Sequence, residues 1–116
     1  MFDVIFYKTK SGDMPVQEYI IELPQKLKTK TLNNINRLRE EGLNARRPLS
    51  GYLRDGIFEL RTQIGTNLTR LLYFFSNNKA IVFTNGFTKK TEEVPESEIR
   101  IAKRRKLEYE SGAQNG

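Results

Sequence analysis

Apolar positions along the chain switch between two periods, and the switches mark its elements. Phe2 to Tyr7 is rich in aromatic and β-branched residues, and the turn-forming stretch Lys8 to Asp13 ends it, so the segment reads as a first strand. Pro15 at a first helical position, with Asp13 upstream as a cap, opens a short helix whose Val16, Tyr19, Ile20 and Leu23 share one face. A second helix starts at Pro24 and runs to Glu41. Its Leu27, Thr31, Ile35 and Leu38 recur at helical spacing, and Gly42 stands where a residue of positive φ would end it. Both helices are amphipathic and suited to cover one face of a sheet.

From Leu43 to Gly56 no period is sustained, and Pro48, Gly51 and Gly56 make the segment read as mostly loop. Ile57 to Ile64 then alternates, with Phe58 and Leu60 facing one way and Glu59 and Arg61 the other. Gly65-Thr66-Asn67 turns the chain, Thr69 to Phe75 is apolar on both faces, Ser76-Asn77-Asn78 turns it again, and Lys79 to Phe87 is the next strand. Such short turns predict an antiparallel meander. Pro95-Glu96-Ser97-Glu98 opens a last helix, and Lys103-Arg104-Arg105-Lys106 sits near its expected end, a polarity that suits the helix macrodipole. The predicted fold class is therefore α+β. It is a single domain over residues 1–110 with a mainly antiparallel twisted sheet (an N-terminal strand plus a three-stranded meander), two N-terminal helices and a C-terminal helix, followed by a frayed tail over 111–116.

Composition narrows the chemistry. The 116 residues include no His, Cys or Trp, and 20 Lys and Arg outnumber 14 Asp and Glu for a net charge of +6. Without Cys there is no disulfide framework or thiolate nucleophile, and without His the usual base near neutral pH and the commonest metal ligand are gone. No basic stretch leads into an apolar one at the N-terminus, and Leu71 to Phe75 is too short to span a bilayer, so a soluble cytoplasmic protein without a membrane partner is expected. The cationic surplus concentrates in residues 24–56, which hold eight Lys or Arg against three acidic residues. A clustered cationic face attracts polyanions, although a basic helix face is more often simply solvated. Arg46, Arg47 and Arg54 in this block are the candidate RNA contacts.

Candidate chemistry lies on the predicted sheet. Glu59 and Arg61 are two apart on one strand and emerge about 7 Å from each other on one face. If the Gly65 turn pairs their strand with the next, Arg61 and Arg70 come opposite, and two like charges there need an anion or a carboxylate between them. Glu59 as a plain ion-pair partner is one reading. The other is cleavage of an RNA phosphodiester, in which the neighbouring 2′-hydroxyl is the nucleophile and guanidiniums neutralise the phosphoryl oxygens without a metal or other cofactor. A Glu, or a Lys crowded by cations, would then take the proton.

The ordered set Glu59-Leu60-Arg61, Arg70 on the next strand, Gly86-Phe87-Thr88-Lys89-Lys90-Thr91 and Pro95-Glu96-Ser97-Glu98-Ile99 through Ala102 resembles the RelE/ParE toxin superfamily, most closely its HigB-like, phage-derived Gp49-like branch. The resemblance implies a RelE-like domain and a type II toxin: a ribosome-dependent, metal-independent endoribonuclease, or mRNA interferase. Its implied partners are the ribosome, mRNA and a HigA-like helix-turn-helix antitoxin, the last in a heterotetramer. Carried onto this chain, Arg61 and Arg70 would clamp phosphate, Glu59 would be base or scaffold, and Lys89 and Lys90 would be the strand-end lysines that meet RNA. Phe87 would offer a ring to a base, although a strand aromatic is more often core. Several relatives place His or Tyr near the end of the last strand, where this chain has Phe83 and Phe87, so the proton donor has no match; Tyr73 and Tyr109 do not stand at that position. The alternatives are a ParE-like inhibitor of DNA gyrase and a non-enzymatic RNA- or ribosome-binding module.

Overall fold

A computed structural model describes residues 1–89 and 92–112. Its elements are β1 (Asp3–Phe6), α1 (Pro15–Ile21), α2 (Gln25–Glu41), a single 3-10 turn (Gly42–Asn44), β2 (Ser50–Arg54), β3 (Ile57–Ile64), β4 (Asn67–Ser76), β5 (Ala80–Thr88) and α3 (Glu96–Glu110). The five strands form one sheet in the order β1-β5-β4-β3-β2. β2 to β5 pair antiparallel, whereas β1 lies parallel to β5, so the sheet is mixed.

Alternation along the strands sorts side chains onto two faces, and each face finds its own helices. Leu60, Leu71, Tyr73, Ile81 and Phe83 pack with Val16 and Ile20 of α1 and Ile35 and Leu38 of α2. Ile57, Leu72, Phe74, Val82 and Phe87 meet Ala102 and Tyr109 of α3 on the opposite face. A register shift between Leu72 and Tyr73 of β4 lets Phe83 and Asn85 of β5 point to different faces across it. β4 and most of β5 are covered on both sides, which explains their unbroken apolar runs.

The sequence-based expectations need three corrections. Residues 50–54 are a strand rather than loop, which raises the expected four strands to five. Asp13 does not cap α1; the N-cap is Met14 without a side-chain cap, Asp13 accepts a hydrogen bond from Ser11 within the turn, and Glu18 reaches back to the Met14 N–H. α3 continues to Glu110, so its basic cluster lies in mid-helix and the last turn holds no cation. There the cluster fastens the helix: Lys103 pairs with Asp55 at 3.0 Å, Arg105 donates to the Thr84 carbonyl at 2.8 Å and covers the Tyr7 ring, and Lys106 lies over Phe74. After α3, Ser111 and Gly112 continue a hydrogen-bonded turn, and the rest of the expected tail lies outside the described residues. Gly42 does end α2 at φ +52°, and a Cβ there would stand 2.2 Å from the Phe2 ring, a second reason for glycine. Among the described residues no helix is long and apolar enough to cross a membrane.

Candidate active site

β3 and β4 pair with Arg61 directly opposite Arg70, as the Gly65 turn predicts, and Glu59 lies two residues along β3 on the same face. This is the α3 face, beyond the point where the helix begins. Glu59 is buried at 2% exposure and holds three guanidiniums. Its Oε1 is 3.3 Å from Arg70 Nε, and its Oε2 is 3.3 Å from Arg47 Nη2 and 3.9 Å from Arg61 Nη1. One carboxylate among three cations relieves the repulsion between the facing arginines and leaves the cluster with a net positive charge, poised for an anion.

Arg47 arrives from outside the two central strands. On β2 the residue opposite Glu59 is Gly51. A Cβ there would stand 2.5 Å from Arg47 Cζ, so the Arg47 guanidinium occupies the space that any side chain would fill. The sequence placed Arg47 only in the cationic block. Its position beside Glu59 depends on a strand register that residues 43–56 do not announce.

Arg70 has no solvent exposure. Its Nη2 donates to the Glu92 carbonyl at 2.6 Å and its Nη1 to the Glu93 carbonyl at 3.2 Å. The Arg70 Nε–H is not aligned with Glu59 Oε1 despite their short separation, so this is an ion pair without a hydrogen bond, and both atoms are buried without a hydrogen-bond partner. Burial lowers the Arg70 pKa, with Glu59 opposing the shift. The segment that covers Arg70 also supplies a counter-ion, because the exposed Glu92 carboxylate lies 3.5 Å from Arg61 Nη2. Sequence reasoning missed Glu92, since its position depends on how the chain returns from β5 to α3.

The other candidate residues divide. Lys89 is exposed just past β5, and Lys90 lies outside the described residues. Arg54 pairs with Glu96 at the start of α3 and with Asp55, tying the β2–β3 hairpin to that helix. Arg46 is exposed and donates to the carbonyls of Leu43 and Ala45. Phe87 is 8% exposed and packs within the α3-side core, the more common place for a strand aromatic. Tyr73 is buried on the opposite face in a hydrogen bond with Ser50, and burial pushes its phenol up to about 12. Tyr109 packs edge-on against Phe74. Among the described residues, no three metal-ligating side chains come together.

A family model described as "Phage derived protein Gp49-like (DUF891)" matches residues 18–107, a span that runs from α1 into the last turns of α3 and contains the whole cluster. No curated protein matches the chain.

Proposed function

The chain belongs to the phage-derived Gp49-like family, a family of RelE/HigB-like toxins, and from that premise we propose that it is a type II toxin that cleaves mRNA on the ribosome without a metal. The observation that carries the reading is the convergence of Arg47, Arg61 and Arg70 on buried Glu59 at one open face of the sheet.

In the proposed reaction the substrate's 2′-oxygen attacks the adjacent phosphorus and the P–O5′ bond breaks, leaving a 2′,3′-cyclic phosphate and a free 5′-hydroxyl. Charge grows on the non-bridging oxygens during attack, and fixed guanidinium forks stabilise that growth more than they stabilise the bound substrate. Arg61 and Arg47 reach solvent and bind those oxygens first, with Arg70 behind them. Glu59 is the positioning residue, because its two oxygens set the directions of all three arginines. Lys89, with Lys90 by family match, meets a flanking phosphate. The proton leaving the 2′-hydroxyl and the one reaching the 5′-oxygen travel through water and groups of the decoding site.

Dependence on the ribosome follows from the covering of Arg70. Its outer donors are held by the Glu92 and Glu93 carbonyls, and docking on a large partner supplies binding energy to exchange them for phosphate. A helix-turn-helix antitoxin restrains the activity, in a heterotetramer.

Arg61→Ala tests the reading. Cleavage of mRNA on programmed ribosomes is expected to fall roughly a hundredfold in kcat/KM, with DNA supercoiling by gyrase untouched by either protein. Undiminished cleavage by a folded variant, or inhibition of gyrase by the wild type, overturns it. Co-expression with the small adjacent reading frame is expected to restore growth.

A further inference from the structure

β2 pairs with only the first half of β3, and beyond it the β3 edge meets Leu49 and side chains of α2 instead of a strand. A groove of about 260 Å³ lies there between β3 and α2, its walls including Lys30, Asn34 and Arg37 of α2, Leu49 of the crossing segment, and Arg61 and Gln63 of β3. Three of its lining residues are cations and none is a carboxylate.

The cations are held in ways that leave them available to a ligand. Lys30 Nζ donates to the Gln63 carbonyl at 2.6 Å, which fixes the ammonium over the groove with two N–H donors beyond that bond. Arg37 pairs with Glu41 one turn along α2 at 3.3 Å, an exposed helical pair of the kind that contributes little and yields readily to a stronger anion. Asn34 is buried and donates to the Arg61 carbonyl and Thr62 Oγ1, so the α2 wall is locked to the strand that carries Arg61. Arg61 lines the groove and also belongs to the Glu59 cluster. The two spaces therefore meet at one residue.

We propose that this groove binds the backbone of single-stranded RNA next to the scissile bond, with Lys30 and Arg37 as phosphate contacts and Arg61 shared between neighbouring phosphates. The inference rests on the nuclease reading for its account of Arg61, and it adds a direction: the strand leaves the cluster along α2. A narrow groove lined by three cations and no carboxylate, sharing Arg61 with the cluster, suits a passing polyanion.

The experiment is fluorescence anisotropy with a labelled, fully 2′-O-methylated RNA oligonucleotide, which cannot be cleaved, over a range of salt concentrations. The double variant Lys30→Ala/Arg37→Ala changes exposed helix positions to the best helix former, and Lys30→Gln/Arg37→Gln provides a second pair that keeps polar side chains. Both pairs are expected to bind about tenfold more weakly than wild type, with the slope of log K against log salt reduced by about 1.4, at about 0.7 for each lost single-strand contact. Unchanged affinity and slope in both pairs overturn the groove. So does unchanged RNA affinity with weakened antitoxin binding, which would make it a protein-docking track. A wild type that binds the oligonucleotide through these residues yet leaves ribosome-bound mRNA intact upholds the groove and sinks the nuclease reading instead.

Discussion

A guanidinium without solvent exposure must find its partners within the protein, and Arg70 finds Glu59 on one side and two backbone carbonyls on the other. Truncation would leave buried Glu59 short of a cation and remove the donors that Arg70 gives the Glu92 and Glu93 carbonyls. Arg70→Ala is therefore expected to destabilise the fold by about 3 kcal/mol, read from urea unfolding midpoints. Any loss of cleavage in that variant has to be judged against the fraction folded, whereas the partly exposed Arg61 gives a cleaner test. Gly51→Ala separates geometry from stability in the opposite sense. The new Cβ would displace the Arg47 guanidinium, whose side chain is 58% exposed and free to swing outward. Unfolding is expected to change by less than about 0.5 kcal/mol, while ribosomal cleavage falls by about tenfold as one oxyanion donor is lost. The Glu59, Arg61 and Arg70 triplet was legible in the sequence because strand alternation and a short turn fix which residues face each other. Arg47 was not, since its place depends on an absent side chain two strands from Arg70.

Local patterns announced those elements whose stability is local. α2 shows helical spacing along its length, and β3, β4 and β5 are joined by short turns, so each could be read from its own residues. β2 was hidden because it is short, contains glycine and draws its hydrogen bonds from β3. The parallel pairing of β1 with β5 joins residues far apart in sequence, and no local pattern reports it. The end of α3 was misplaced because its basic residues, taken as complements to the helix dipole, instead grip the sheet beneath. Helix-to-sheet fit also sets a testable limit at Gly86 of β5, where a Cβ would stand 2.6 Å from Tyr19 Cδ2 and 2.8 Å from Leu71 Cδ2. Tyr19 is held there by its hydroxyl contact with Thr88. Gly86→Ala is expected to push α1 off the sheet and to lower stability by about 1–3 kcal/mol, visible as a lower melting temperature.

Across the whole molecule, phenols tie stability to alkaline pH. Burial pushes Tyr73 up to about 12, against the opposing hydrogen bond with Ser50, and burial likewise raises Tyr7 and Tyr19. A phenol that holds its proton more tightly folded than unfolded contributes stability that is intact below its unfolded pKa of about 10 and lost as pH rises toward the folded value. For Tyr73 the loss between pH 10 and 12 is on the order of 3 kcal/mol. Tyr73→Phe is expected to cost about 1 kcal/mol at neutral pH, where Ser50 loses its partner, and to flatten this alkaline decline in urea midpoints measured from pH 9 upward. The crossing of the arginine cluster by Glu92 and Glu93 also bears on the molecule as a whole. Arg61 already faces a carboxylate and Arg70 two carbonyls, so an incoming phosphate trades places with anionic and polar groups of the protein itself. On the proposed reading, seating the scissile phosphate is an exchange with little net gain, and selectivity for cleavage passes to whatever large surface accompanies the strand. A cell crowded with RNA is then, for this protein, nearly empty of substrate.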